Sequence, residues 1–569
     1  MTGPTTPTDT GTRGLLRRAG RHSAGRCLAL CLAGTFATGA GLLLPAALGR
    51  ALDTLLSGRA ATGWVLCCAA LVALIAVLDA AEAVLAGTVD ARSTAWLRRR
   101  TSGRLLALGP RAGGRFGSGD LVARVVGNAA QAGTAPGARA LLVAACAGPV
   151  GGVVALVLID PWLAVVFLTG APVLALLLRA LARDTAECAA DYQRAQGRIA
   201  AALAEAVAGH RTIRAAGTAD RETARVLGPL PELARAGHRM WRVQGRAAGQ
   251  AVAVGPLLQL GVVAVAGVLL ARHRLSVGEL LAAARYAVLA TGVGVLVSHL
   301  SGLARARAAA ARLTEVLVQP APGHGGRTLP PGPGHLRLRA VTARLGARTV
   351  LDGVDLDVPG GTTLAVVGRS GTGKSLLAAL AGRLADPDAG EVLLDGVPLR
   401  ALGRPELRRA VSYAFERPAL LGATVEDTLA LGLPCPAPGR VREAARTARA
   451  DDFVRRLPHG YATRCADAPF SGGEAQRLGL ARAFAQGGRL LILDDALSSL
   501  DTVTEHHITR ALLARPRTTR LLVAHRPTTA ARADAVAWLD GGRVRAVGSH
   551  ARLWADPEYR AVFGDGGRE

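Results

Sequence analysis

The chain has 569 residues, of which 50% are hydrophobic, and its mean hydropathy of +0.29 is too high for an ordinary soluble enzyme. This composition predicts membrane spans joined to a soluble part. The formal net charge is +26 (68 − 42), but aromatic residues make up only 3%, so stacking platforms for single strands are scarce and no nucleic-acid partner is expected.

The first half of the chain predicts a helical membrane domain. After an arginine-bearing tail (residues 1–26), six apolar runs are long enough to cross a bilayer, at 27–49, 63–86, 138–159, 161–181, 247–271 and 277–300. Arginines crowd the long segments 89–137 and 182–246, whereas the opposite loops carry few. Both termini and both long loops are therefore expected in the cytoplasm, and the protein is expected to be a multi-pass component of the inner (plasma) membrane.

A change in composition separates this half, predicted as residues 27–315, from the second half. Residues 316–335 are rich in proline and glycine and predict a linker. Beyond the linker, residues 336–569 alternate short β-rich runs with helical stretches. That alternation predicts an α/β domain with a largely parallel sheet.

The sequence GRSGTGKS, residues 368–375, contains the only lysine in the chain. It follows an apolar strand and opens a helix, which is the context of a phosphate-binding P-loop. Backbone N–H groups would face phosphate oxygens, Lys374 would reach the outer phosphates, and Ser375 would hold Mg²⁺, with Asp494 completing the magnesium shell. The nucleotide-binding residues predicted here are Gly368, Ser370, Gly371, Thr372, Gly373, Lys374 and Ser375.

Downstream, the run FSGGEAQRLGLARAF, residues 470–484, resembles the ATP-binding-cassette (ABC) family. Ser471, Gly472, Gly473 and Glu474 resemble the signature loop of that family. Asp501 ends a stretch that resembles the D-loop, and His525 resembles the switch histidine. GDLVAR (119–124) and AGHRTIRA (208–215) resemble its cytoplasmic coupling segments.

The resemblance covers nearly the whole chain and implies a half-size exporter, in which a six-helix membrane domain precedes an α/β P-loop ATPase domain. It implies ATP and Mg²⁺ as cofactors. It also implies a second half-transporter as partner, because each ATP would lie between one P-loop and the SGGE loop of the other subunit. ATP-driven closure would switch the membrane domain between its inward-facing and outward-facing states.

Three positions depart from the family pattern. Asp495 stands where a glutamate usually activates the attacking water, and Glu416 replaces a magnesium-contacting glutamine. With His525, these two residues are the catalytic residues that the resemblance implies. Leu345 stands where an aromatic side chain commonly stacks on adenine. A shorter carboxylate at position 495 predicts weak turnover, because displacements of about 1 Å can cost on the order of a hundredfold.

These departures favour a heterodimer in which the chain's own ATP site is partly degenerate and its SGGE loop completes the site of the partner. The alternatives are a hydrolysing homodimer and a non-hydrolysing, ATP-gated structural subunit. Import is a third possibility, without supporting sequence features. The transported molecule is expected to be small or amphipathic, and membrane lipid is the surrounding partner.

Overall fold

The computed structural model describes residues 7–109, 116–513 and 518–564. The chain divides into two compact units, one ending at Gln319 and the other beginning at Pro320. The second unit also takes in a short stretch that starts at Ala107.

The first unit is helical throughout its described residues, with one π-helical turn at Arg124–Asn128. Its α-helices are α1 (Pro7–His22), α2 (Ala24–Leu56), α3 (Thr62–Leu108), α4 (Ser118–Ala123), α5 (Ala129–Gly133), α6 (Ala135–Ile159), α7 (Pro161–Ala208), α8 (His210–Ala216), α9 (Ala219–Leu227), α10 (Leu230–Ala271), α11 (Val277–Ala290) and α12 (Val293–Leu317).

The predicted spans fall on long helices. Among the described residues, four segments are long and apolar enough to cross a membrane: Ala24–Leu56, Thr62–Leu108, Gly119–Ile159 and Val277–Leu317. The other two predicted spans lie in α7 and α10, whose described apolar stretches are Pro161–Pro172 and Gly255–Ala271. Several side chains beside these two stretches lie outside the described residues.

Polar residues define where the helices begin. Asp160 caps α7 by accepting a 3.0 Å hydrogen bond from the backbone N–H of Trp162. Ser276 and Glu279 form a capping box at the start of α11. The N-terminal segment 1–26, predicted only as a tail, contains the well-formed helix α1, and α12 continues two residues into the predicted linker.

The second unit is an α/β domain, as predicted. Its strands are β1 (Leu336–Leu345), β2 (Arg348–Val358), β3 (Thr363–Val367), β4 (Ala389–Leu394), β5 (Val397–Pro398), β6 (Val411–Phe415), β7 (Leu490–Asp494), β8 (Thr519–Val523), β9 (Ala535–Asp540) and β10 (Arg543–Gly548). Its helices are α13 (Lys374–Ala381), α14 (Arg404–Ala410), α15 (Val425–Ala430), α16 (Pro438–Thr447), α17 (Asp451–Arg455), α18 (Gly472–Gln486), α19 (Thr502–Leu513), α20 (Pro527–Ala530), α21 (His550–Leu553) and α22 (Pro557–Ala561).

In the described residues these strands form two sheets. The four-stranded sheet has the order β2-β1-β4-β5 and is antiparallel. The six-stranded sheet has the order β10-β9-β3-β8-β7-β6, and its strands from β9 to β6 are parallel. β3, all of whose residues are buried, lies inside this sheet, which explains its continuous apolar sequence.

Candidate functional site

The carboxyl ends of four parallel strands bring the predicted site residues to one edge of the large sheet. The P-loop follows β3, His525 follows β8 by two residues, Asp494 ends β7, and Glu416 follows β6. In the register, Phe415 pairs with Asp494 and Leu493 pairs with Leu522. Segments far apart in sequence therefore meet where α/β sheets bind ligands.

The backbone of the P-loop is built around two glycines with positive φ. Gly371 has φ +81° and Gly373 has φ +100°, conformations that side chains with a Cβ rarely adopt. A Cβ on Gly373 would lie 2.9 Å from Leu351 Cδ2 and 3.0 Å from Val350 Cγ1, whereas a Cβ on Gly371 would meet open space. The loop therefore presents bare backbone at the start of α13, and this cradle fits phosphate groups.

Lys374, the lone lysine, is 6% exposed and turns back onto its own loop. Its Nζ donates to the carbonyl oxygens of Gly368 at 2.7 Å and Arg369 at 3.0 Å. Burial lowers the pKa of this amine, while the nearby carboxylates Asp495 and Asp494 oppose the shift. The ammonium is thus held at the mouth of the loop, where phosphate oxygens could replace the two carbonyls.

Asp494 has the environment expected of a magnesium ligand. Its Oδ1 is buried and lacks a hydrogen-bond partner among the described residues. Burial raises the pKa of this carboxyl, and the neighbouring Asp495 and Glu416 raise it further, whereas hydrogen bonds from Ser375 and Tyr413 lower it. An orphaned carboxylate oxygen beside the Ser375 hydroxyl fits Mg²⁺, which prefers hard oxygen ligands.

Asp495 and His525, both predicted as catalytic, lie in direct contact. His525 Nε2 is 2.8 Å from Asp495 Oδ2. Asp495 itself has φ +53°, a left-handed conformation that is uncommon for a residue other than glycine. The structure therefore directs this carboxylate toward the imidazole through a strained backbone turn.

Glu416 and Leu345 both lie at the surface. The side chain of Glu416 is 55% exposed, with its Oε1 3.8 Å from Arg417 Nε. Leu345 is 62% exposed and pairs with Arg348 at the end of the β1–β2 hairpin. Val350 and Leu351, further along β2, border the P-loop at Gly373.

The SGGE loop forms the N-terminus of α18. Ser471 and Glu474 make a capping box, with Ser471 N donating to Glu474 Oε2 at 2.9 Å. The pKa of Glu474 is lowered, first by that backbone hydrogen bond. A Cβ on Gly473 would lie 3.1 Å from the Ser499 carbonyl oxygen, so the loop lies against the D-loop, and Gly472 meets open space.

The SGGE loop is separate from the P-loop in its hydrogen bonding. Among the described residues, the loop's side-chain hydrogen bonds stay within its own turn. Asp501 caps α19 by accepting a 2.9 Å bond from Thr504 N, and this bonding lowers its pKa. The remaining predicted loop residues, Ser370 and Thr372, lie within the P-loop, where Thr372 Oγ1 donates to Arg369 O at 2.8 Å.

One residue that the sequence analysis missed connects these loops. Gln476, on α18, is 2% exposed, and its Nε2 donates to Glu416 O at 2.9 Å and Ser498 Oγ at 3.1 Å. Its Oε1 accepts from Ser499 N at 3.0 Å. The signature helix, the segment after β6 and the D-loop are therefore joined through one buried amide.

Two further residues support the site from behind. Glu505, on α19, accepts 2.5 Å hydrogen bonds from Arg526 and Thr529, which flank the turn after His525. Tyr413 on β6 hydrogen-bonds to Asp494, and burial raises the pKa of its phenol. Glu505, His525 and Asp495 all line one cavity of about 170 Å³.

Comparison with known proteins agrees with this arrangement. The family model described as "ABC transporter transmembrane region" matches residues 27–292, and the model described as "ABC transporter" matches residues 351–498. A relative named "ABC transporter ATP-binding protein RamA", from Streptomyces coelicolor, is 53% identical over 524 residues, which cover 92% of this chain and 82% of the relative.

More distant proteins share the same organisation. An ATP-dependent lipid A-core flippase from Chromohalobacter salexigens is 32% identical over 72% of each chain. The solved structure of a bacterial Atm1-family ABC exporter with ATP bound superposes with a TM-score of 0.82 at 23% identity, covering 96% of this chain and 99% of that one. The chain belongs to the ABC transporter family, with the fold of an exporter half-transporter whose membrane and ATPase domains are fused.

Proposed function

We propose that the chain is one subunit of a heterodimeric exporter of the plasma membrane and that its own P-loop site binds ATP with Mg²⁺ but hydrolyses it slowly. The observation that carries this proposal is the Asp495–His525 pair. Membership of the family establishes ATP-driven transport in general terms, and half-transporters of this kind work as dimers. What we propose beyond this is the slow ATP hydrolysis at this chain's site, the different partner subunit and the class of cargo.

Asp495 is the residue best placed to act as general base, because it follows the magnesium-site residue Asp494 at the end of β7. Its side chain is one methylene shorter than that of glutamate, and its Oδ2 lies 2.8 Å from His525 Nε2. A base must come within about 3 Å of the water it activates. A carboxylate that lies about one bond length further from the water does not reach it, and the rate of ATP hydrolysis falls on the order of a hundredfold.

ATP binding is expected to remain intact. Lys374 would exchange the carbonyls of Gly368 and Arg369 for the outer phosphates, and the backbone N–H groups from Gly371 to Lys374 would donate hydrogen bonds to the other phosphate oxygens. Ser375 and Asp494 would hold Mg²⁺, with Glu416 as a third ligand. When bound, the cation neutralises charge on the phosphate oxygens. His525 donates toward the outer phosphate once it leaves Asp495.

The SGGE loop supports the pairing with a different subunit. Ser471 and Glu474 form a complete capping box, and Gly472 leaves the N-terminus of a 15-residue helix open. That N-terminus suits the phosphates of an ATP held by another chain. The chain thus keeps an intact SGGE loop for the partner's ATP site but has an altered base at its own ATP site. This combination is expected of the subunit with the weaker ATP site in a heterodimer.

The cargo is proposed to be a small or amphipathic molecule moved out of the cytoplasm. Relatives from two bacteria are named as flippases of lipid A-core, which is an amphipathic lipid. The spanning helices are dominated by small and aliphatic side chains, which suits an apolar or amphipathic surface.

Replacing Asp495 with glutamate tests the proposal. Asp495→Glu in the purified full-length chain, studied in lipid without the partner subunit, should raise Mg-ATP turnover by tenfold or more, on the order of the loss attributed to misplacement. Asp495→Asn should abolish the turnover at this site, and both variants should bind ATP as the parent does. Unchanged or reduced turnover in Asp495→Glu would show that carboxylate length does not limit this site.

A further inference from the structure

The first helix, α1, has one buried face and one strongly basic face. Leu15, Leu16 and Ala19 are at most 7% exposed, and the two leucines pack in a core with residues of α12, α3, α5 and α6. At 100° per residue, Arg17, Arg18 and Arg21 fall on the opposite side of the helix, and all three are exposed. Docking of α1 on the membrane domain therefore directs three arginines outward.

Acidic side chains pair with some arginines of this unit but not with these three. Arg124, for example, pairs with Asp120 and Glu315, each at 2.7 Å. Arg17, Arg18 and Arg21 form no ion pair within the part of the chain that the structure describes. Their charge is left for an anion outside the protein.

The position of α1 along the chain places these charges beside the membrane. Helix α1 ends at His22, and the apolar run of α2 begins at residue 27. Five helical residues span about 7 Å, which matches the thickness of one headgroup layer, about 5–8 Å on each side of the hydrocarbon. His22 also stacks on Trp96 of α3, with ring centroids 6.2 Å apart, which fixes the end of α1 against that helix.

We propose that the outward face of α1 (Arg17, Arg18 and Arg21) binds the phosphates of anionic phospholipids in the cytoplasmic leaflet. The partner is a lipid surface, and the chemistry is charge-assisted hydrogen bonding of guanidinium groups to headgroup phosphate. An arginine near an anionic membrane contributes about 1 kcal/mol, a factor of about five in affinity, and the contribution is screened by salt. Bound lipid would hold α1 against the core of the membrane domain.

The proposal is tested by lipid titration of the full-length protein in detergent, with bound lipids counted by native mass spectrometry. The parent should bind phosphatidylglycerol in preference to phosphatidylcholine. The triple variant R17Q/R18Q/R21Q should lose that preference by tenfold or more, given a factor of about five per arginine. The charge-conserving variant R17K/R18K/R21K should keep the preference within about twofold, because lysine also binds phosphate as a point charge.

Two further measurements distinguish a loss of lipid binding from a loss of folding. ATP binding and particle size should be equal in the three proteins, which separates lost lipid binding from misfolding. If the triple glutamine variant does not fold, the single variant Arg18→Gln should show about a fivefold loss. Equal lipid preference in parent and glutamine variants, or no preference in the parent, would show that these arginines are merely solvated and would overturn the proposal.

Discussion

Substituting Gly373 in the P-loop should damage the ATPase domain far more than the same substitution at Gly371. Both glycines have positive φ, so alanine at either position adopts a conformation that costs about 1–2 kcal/mol. Only at Gly373 does the new Cβ also meet side chains, at 2.9 Å from Leu351 and 3.0 Å from Val350. Overpacking of this kind costs about 1–3 kcal/mol more.

The two variants therefore differ by an amount that melting can resolve. Gly373→Ala should lose about 2–5 kcal/mol, and Gly371→Ala about 1–2 kcal/mol, from the strain and overpacking costs. For a domain of this size, that corresponds to melting shifts of about 5–15 °C and about 2–6 °C. Gly373→Ala should also lose ATP binding, because α13 and Lys374 start at this residue.

Thermal melting of the purified chain, with and without a fluorescent ATP analogue, measures both effects. Gly58→Ala serves as the control, because Gly58 has φ +73° and open space around its Cβ position but belongs to the membrane domain. Equal melting losses for Gly371→Ala and Gly373→Ala would refute the contact argument and leave backbone conformation as the whole cause.

Three other substitutions are predicted together. Gln476→Leu removes the buried amide that joins the D-loop to the segment after β6, so ATP turnover should fall at least tenfold while ATP affinity is unchanged. The control Gln486→Leu removes only a 3.4 Å hydrogen bond on the same helix and should have the turnover of the parent. Arg383→Met removes a buried guanidinium bonded to Asp386 and to backbone carbonyls, and urea unfolding should show a loss of about 3–5 kcal/mol. Glu505→Gln weakens two charge-assisted bonds behind His525, and the melting assay should show about 2 kcal/mol lost, with reduced turnover.

The sequence predicted the features that depend on local chain geometry. A P-loop needs glycines with positive φ between a strand and a helix, and that requirement is visible as GRSGTGKS at residues 368–375. The signature helix is equally local, since Ser471 and Glu474 are three residues apart and cap it. The run of six apolar segments likewise predicted the helical membrane domain.

Local sequence patterns do not predict the contact between Asp495 and His525. The two residues are thirty positions apart and meet because β7 and β8 are neighbouring parallel strands whose carboxyl ends lie side by side. Gln476 was missed for the same reason, because its partners come from two other loops. Its polar side chain on a largely buried helix was the available signal.

The most direct test is ATP binding and turnover of the purified full-length chain in lipid, compared with Lys374→Ala. We expect Mg-dependent ATP binding that Lys374→Ala abolishes, together with little turnover by the chain alone. We also expect Asp495→Glu to increase this turnover. Rapid turnover by the chain alone, abolished by Lys374→Ala, would contradict the proposed weak ATP site and identify a working homodimer.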